Sequence, residues 1–379
     1  MHMPLIFTLA ARNLLHDRLR FIATVIGIVF SMLLVTVQMG LYYGFGYMVT
    51  TMIDHANADL WIMSPATKCF EDAATLDEHK RLHTLSITGV ADVTPVVIGF
   101  AQWTMPSGGT TDVFMVGSDL RAGALPPWNL VAGSVEDLEI PGAVALDRSY
   151  LDRLGISGIG ERAEIHDQKV EVRALTRGIR SFTMTPYVFA PLERARAYTG
   201  MPPSRSSYFL VRVEPGDDIG TVRERLQESI PDVTVLTPAE FRDRSRSFWL
   251  FGTGAGAALL AGALLGVIVG TIIVAQTLYS STKDHLNEFA TLRAIGSSGS
   301  YIHKVIICQA LLSAAIGFGI AAGIGWIIVR RTAETALPII LTPGLTGVLF
   351  TLTVVMCVLS AGAAIVKVMR IEPATAFTR

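Results

Sequence analysis

Cys69, His79 and His83 are the side chains that come nearest to a metal-binding group, and their spacing of ten and then four fits no common site. Ordinary surface positions are the expected reading for all three. Cys308 and Cys357 fall inside long apolar runs, so Cys69 has no partner for a disulfide in its own segment. Gly158-x-Gly160 lacks the third glycine of a dinucleotide fingerprint and reads as a turn before a strand. The sequence contains no G-x-x-x-x-G-K-[ST] to cradle phosphates, and no H-E-x-x-H or G-x-S-x-G to build a hydrolytic centre. The most specific pattern lies between Lys283 and Gly296. There Leu286, Phe289, Ala290 and Arg293 recur at i, i+3, i+4 and i+7, and Gly296 can end the helix. The chemistry of such a helix is docking, either onto a bilayer or into a partner's groove.

Four runs free of Asp, Glu, Lys, Arg and His set the frame around that helix, at 21–53, 247–282, 305–329 and 335–366. Each exceeds the roughly 20 residues an α-helix needs to cross about 30 Å of hydrocarbon. The composition agrees, with 51% hydrophobic and 17% charged residues among 379. The first run is too long for the apolar part of a signal peptide and ends in no clear cleavage site, so it reads as a retained anchor. Ionisable groups inside spans mark ion-coupled carriers, and their lack here argues against secondary transport. Gln38, Gln276 and Gln309 are expected to hydrogen-bond between helices. Small residues recur at helical spacing in Gly40-x-x-x-Gly44, Gly252-x-x-x-Gly256, Gly262-x-x-x-Gly266-x-x-x-Gly270 and Ala315-x-x-x-Gly319-x-x-x-Gly323. Such stripes let helix backbones approach closely, within one chain or between two copies.

Lys and Arg flanking the spans orient the chain. Arg12, Arg18, Arg20, Lys283, Arg293, Lys304, Lys367, Arg370 and Arg379 fall on one side, against Arg330 and Arg331 on the other. Both termini are therefore expected in the cytoplasm and residues 48–246 outside. That segment holds 20 Lys/Arg against 27 Asp/Glu, a net of −7, while the remainder of the chain carries +6. This split offers nothing to nucleic acid.

The expected boundaries are an amphipathic cytoplasmic helix over 1–20, transmembrane helices over 21–47, 247–278, 302–329 and 344–366, and a cytoplasmic helix over 279–301. An external domain with helical stalks occupies 48–246, a short external loop 330–343, and a cytoplasmic tail 367–379. Within the domain, strands are expected over 59–63, 93–101, 112–117, 142–146, 163–166, 169–172, 207–213 and 233–236. Helices are expected over 147–154 and 217–230, and a turn at Asp167-Gln168. A further helix after Thr237-Pro238 meets no breaker before Gly252 and is expected to run unbroken into the second span, as a stiff stalk. The fold class is an α-helical membrane protein with four transmembrane helices in a 1+3 layout plus an α+β extracytoplasmic domain of two subdomains.

Glu288-Phe289-Ala290-Thr291-Leu292-Arg293-Ala294-Ile295-Gly296 resembles the "REIGILRAIG" coupling-helix motif of the MacB/FtsX-type permeases of ABC transporters, with Asn287 in place of the usual basic residue. The tail Ile371-Glu372-Pro373-Ala374-Thr375-Ala376 is similar to that family's "PAEALR" ending, though Phe377 departs from it. Arg12-Asn13-Leu14 and Leu154-Gly155-Ile156 also match its habits, and the likeness covers the whole chain. Ala58 to Ser64 and Gln38-Met39-Gly40 look closest to the DevC-like branch, known for glycolipid export.

The resemblance implies a non-catalytic permease in the inner membrane, homodimeric, with two separate ATPase subunits. Those subunits would hold ATP and Mg, and no cofactor is expected on this chain. It assigns residues 288–296 to docking on the ATPase, and it implies a periplasmic adaptor, an outer-membrane channel and a lipid or other amphiphile as cargo. ATPase-driven motion would then pass through the stalks to the external domain. The same layout also serves activation of a cell-wall hydrolase and lipoprotein release.

Overall fold

The computed structural model describes residues 3–120, 123–284, 299–333, 335 and 339–369. The chain divides into two compact units, one built from residues 1–43, 257–333 and 339–379, the other from 44–256 with 334–338.

The first unit opens with α1 (Met3–His16), which turns Ala10 and Asn13 inward and lies against the third span. The chain breaks at Asp17, whose carboxylate pairs with Arg20 at 3.0 Å, and continues as α2 (Arg18–Met48). The last turn of α2, from Gly44, belongs to the second unit.

That second unit is the α+β domain. It runs through α3 (Thr51–Asp54), β1 (Leu60–Met63), β2 (Leu76–Asp77), α4 (His79–Leu85), β3 (Val90–Thr104), β4 (Thr110–Ser118), β5 (Leu130–Ala132), β6 (Ala143–Asp147) and α5 (Leu151–Leu154). It continues with β7 (Arg162–Ile165), β8 (Gln168–Thr176), β9 (Tyr187–Pro191), α6 (Leu192–Thr199), β10 (Arg205–Ser206), β11 (Tyr208–Val213), α7 (Ile219–Ser229), β12 (Thr234–Leu236) and α8 (Pro238–Ser247). One sheet carries the order β12-β1-β11-β3-β4-β9-β6-β8-β5, with β7 bridging β3 and β8. Only β4–β9 and β6–β8 are parallel among the pairs described.

The 15-residue β3 joins two lobes, pairing with β11 along its first half and with β4 and β7 along its second. In the first lobe Val222 and Leu226 of α7 bury against Leu60, Ile62, Phe209 and Val211. The second lobe closes on Trp103, Tyr150, Leu154, Val172 and Val188. Alternation along the strands explains both cores, since residues i and i+2 share a face.

Local chemistry sets the ends of these elements. Asp218 caps α7 by accepting from Thr221 N at 2.8 Å, and Gly155 ends α5 in the left-handed conformation at φ 65°. His166 and Asp167 form the β7–β8 turn with φ 48° and 62°, so the turn lies one residue earlier than the sequence pattern places it.

Returning to the first unit, α9 (Ala255–Asp284), α10 (Gly299–Thr332) and α11 (Pro343–Met369) complete four helices long and apolar enough to cross a membrane. Their common core joins Ile28, Met32 and Val35 of α2 to Val274, Ala314, Leu349, Met356 and Cys357. The helices overrun several of the expected span limits, because backbone hydrogen bonding continues past the apolar run. Arg330 and Arg331 accordingly sit in the last turn of α10 rather than in a loop.

Candidate functional site

The docking segment Glu288, Phe289, Ala290, Thr291, Leu292, Arg293, Ala294, Ile295 and Gly296 lies outside the described residues. So does the tail motif from Ile371. What the structure places are the small-residue stripes of the spans and the membrane-proximal end of the α+β domain.

Gly262, Gly266 and Gly270 of α9 form one seam against α2. A Cβ at Gly262 would come within 2.7 Å of Gln38 Nε2, and one at Gly266 within 2.9 Å of Val35. One at Gly270 would overlap Ser31 Oγ at 2.2 Å and also meet Met356 Sδ at 2.8 Å. Ser31 Oγ donates to the Gly266 carbonyl at 2.7 Å, a bond this close approach makes possible. Gly40 packs on Ile339, and Gly44 is buried in the domain unit.

Gly319 and Gly323 behave differently, for nothing lies within 4 Å of a Cβ at either position. The face of α10 that packs inside the chain is Ala310, Ala314, Gly317 and Ala321, with Gly317 against Ile28. Gly27 against Ile273 is a second close contact outside the stripes.

In the domain, α8 starts with a complete capping box. Thr237 Oγ1 accepts from Glu240 N at 3.3 Å, Glu240 Oε2 accepts from Thr237 N at 2.9 Å, and Pro238 opens the first turn. Phe241 is fully buried between Trp61 and Tyr208. Arg242 Nη1 pairs with Asp54 Oδ1 at 2.7 Å, tying α8 to α3, and Arg244 donates to the Pro65 carbonyl at 3.1 Å. The stalk does not run unbroken into the second span. Its α-helix ends at Ser247, a π-helical turn covers Phe248–Gly252, and Gly254 adopts φ 76° before α9 begins at Ala255.

Trp249, inside that turn, donates from Nε1 to Glu71 Oε2 at 3.0 Å, and Tyr187 Oη donates to Glu71 Oε1 at 2.8 Å. The indole also packs with Phe182, at 5.6 Å between centroids, and with Phe45 at 6.4 Å. Burial pushes the Glu71 carboxyl above the ordinary carboxylate range despite its two donors, and burial beside Glu71 raises Tyr187. Cys69 is fully buried rather than at the surface, unlike His79 and His83, and burial pushes its thiol up to about 12. Among the described residues no three His, Cys, Asp or Glu converge to hold a metal ion.

Sequence reasoning missed this joint. Glu71-Asp72 looks like an ordinary loop, and Trp249 and Phe45 are absorbed into apolar runs. The Thr237-Pro238 helix start is the signal that does lead toward it.

Domain-level comparison gives the chain its relatives. The model for the MacB-like periplasmic core domain matches residues 21–229, and that for the FtsX-like permease C-terminal matches residues 249–373. Among curated proteins none matches. The periplasmic region of MacB from Actinobacillus actinomycetemcomitans is 11% identical over 50% of this chain and 94% of that one, with a TM-score of 0.39. The extracellular domain of the ABC-type transporter YknZ from Gram-positive bacteria is 16% identical over 48% and 99%, with a TM-score of 0.34. A permease domain from Porphyromonas gingivalis is 14% identical over 48% and 90%, with a TM-score of 0.33. With a family model covering more than half of its length, this chain belongs to the MacB/FtsX-type permeases, the membrane components of ABC systems.

Proposed function

We propose that the chain is the permease subunit of an ABC-type export complex and that it transmits ATPase-driven motion to its extracytoplasmic domain. The observation that carries this reading is the cross-tied exit of both chain passages. Residues 44–54 and 238–252 are locked to one another by Arg242–Asp54, and to the sheet by Phe241 and by Trp249–Glu71–Tyr187. A displacement of either passage is then shared by the other and reaches the sheet, which a loosely tethered domain would not experience.

In this reading, residues 288–296 dock on a separate ATPase that binds ATP and Mg. A second copy completes the permease, and a periplasmic adaptor with an outer-membrane channel carries the cargo onward. Both termini face the cytoplasm. A DevC-like assignment would make the cargo a lipid or a related amphiphile. The test is ATP hydrolysis by the partner ATPase in proteoliposomes. Phe289→Asp or Leu292→Pro is expected to abolish stimulation by the permease while membrane insertion stays normal. Undiminished stimulation in both variants would remove this segment from the coupling role.

A further inference from the structure

A cavity of about 390 Å³ opens between α2, α10 and α11, lined mainly by Phe318, Ala322, Gly325, Trp326 and Leu349, with Thr36 at its back. This size falls within the roughly 300–1,000 Å³ of small-molecule sites. Along α10 the lining extends from Phe318 to Val329. At 1.5 Å per residue that is about 16 Å, half of a hydrocarbon core of about 30 Å. The cavity is therefore one leaflet deep.

It lies toward the C-terminal end of α2, where Ile340 N donates to the Gly40 carbonyl at 3.1 Å. Charge patterning makes this the outer end of the spans. Its mouth opens among exposed apolar side chains, with Trp326 59% exposed and Ile327 54%. Arg330, one turn beyond Trp326, holds its guanidinium 4.7 Å from the indole centroid. Arg331 beside it is exposed, and neither arginine has an ion pair among the described residues. Two arginines with no ion pair among the described residues, on the side that disfavours them and next to an apolar slot one leaflet deep, are matched by an anionic headgroup attached to an acyl chain.

We infer that this cavity is a binding site for an anionic phospholipid of the outer leaflet. One acyl chain lies against Phe318, Ala322 and Leu349, and the phosphate is held by Arg330 and Arg331. Trp326 forms the wall at the depth where chain meets headgroup, the position tryptophan favours at a membrane interface. The inference concerns a resident lipid and stands whatever the complex exports.

The test uses the full chain in phosphatidylcholine nanodiscs doped with phosphatidylglycerol bearing a diazirine on its acyl chain, with the same diazirine chain on phosphatidylcholine as the second probe. Photo-adducts are mapped by mass spectrometry. The phosphatidylglycerol probe is expected to label 318–329 and 341–349 several-fold more than the lipid-facing Leu264–Leu265 surface of α9. Its preference over the phosphatidylcholine probe should fall about fivefold for each arginine changed, in Arg330→Gln and Arg331→Gln, since each basic residue near an anionic surface contributes about 1 kcal/mol. Ala322→Phe should fill the slot and remove the adducts there while labelling of α9 is unchanged. Equal labelling of cavity and α9 surface in the wild-type chain would overturn the site, and equal yields from the two probes would overturn its anionic character. Efficient disulfide cross-linking of Ala322→Cys between two copies, with no lipid adduct, would assign the cavity to a second protomer instead.

Discussion

Gly270→Ala and Gly319→Ala place the same methyl group on two transmembrane helices, and the structure assigns them opposite signs. At Gly270 the new Cβ would lie 2.2 Å from Ser31 Oγ and 2.6 Å from Ser31 Cβ, besides 2.8 Å from Met356 Sδ. The methionine end can move, but Ser31 is held near the backbone of α2 and donates to the Gly266 carbonyl. Relief requires α2 and α9 to separate. Overpacking of this kind costs about 1–3 kcal/mol, and the strained interhelical hydrogen bond adds about 0.6 kcal/mol. The higher helix propensity of alanine returns at most about 1 kcal/mol.

Gly270→Ala should therefore destabilise the spans by about 1–3 kcal/mol. Gly319→Ala meets no atom within 4 Å and should be neutral or stabilising by up to about 1 kcal/mol. The assay is equilibrium unfolding of the full chain in mixed micelles titrated with denaturing detergent, read by tryptophan fluorescence. Equal destabilisation by the two substitutions would refute the assignment of the α9 stripe to the inside of the bundle and of the α10 stripe to its outside. Loss of dimer with unchanged monomer stability in Gly319→Ala would instead give the exposed stripe to a second copy.

Three other outcomes follow from the domain. Glu71 has a carboxyl raised by burial, so its neutral form is favoured in the fold. That contribution is complete below the unfolded value of about 4.3 and is lost as pH rises through the raised value. Glu71→Gln should flatten this part of the stability–pH curve, measured by thermal unfolding from pH 4 to 8; an unaltered slope would exclude Glu71 as its source. Thr237→Ala removes the capping oxygen of α8 and should cost about 0.5–2 kcal/mol in the same assay; an unchanged unfolding temperature would contradict the role of the cap. A Gly-Ser insertion after Gly254 should leave permease-stimulated ATP hydrolysis coupled to output, whereas the same insertion after Gly44 should uncouple them. The reverse order would contradict the placement of the stiff element in α2.

The parts of this fold that were legible in the sequence are those whose signal is collective. The four spans follow from runs of apolar residues, β3, β4, β6 and β11 from β-rich runs bounded by turn or capping residues, and β7 and β8 from alternation. The missed elements hide their pattern. The segment Tyr187–Pro191 is a five-residue strand that follows Pro186 and ends on Pro191, too short for a period to be counted. Helix α6 shows no clear apolar face because one of the three residues it buries, beside Ala195 and Tyr198, is Arg196, which pairs with Glu78 from before α4. No local pattern announces a partner so far away in sequence. On α10 the choice between stripes was undecidable, because Ala310-Ala314-Gly317-Ala321 and Ala315-Gly319-Gly323 are equally small. Only the packing of Gly317 on Ile28, with nothing within 4 Å of Gly319 or Gly323, settles which one faces inward.

The break at residues 248–254 changes which helix can act as the lever. No proline or glycine interrupts the chain between Ala239 and Phe251, so the sequence predicts a continuous stalk into the second span. Its interruption comes from tertiary contacts. Trp249 is held by Glu71 and two phenylalanines, and the widened π-turn accommodates it before Gly254 ends the helical hydrogen bonding. Bending about Gly254 is therefore cheap, while α8 on its far side is fixed to the sheet by Phe241 and Arg242. By contrast α2 is helical without interruption for 31 residues, from Arg18 to Met48, and Phe45 near its end packs directly on Phe182 and Trp249. In the proposed transmission, rigid displacement thus enters the domain through α2, and the 248–254 joint lets the second passage follow without tearing the ties to the sheet. The aromatic cluster at Phe45, Phe182 and Trp249, rather than the length of the stalk, is then what makes the two passages move as one.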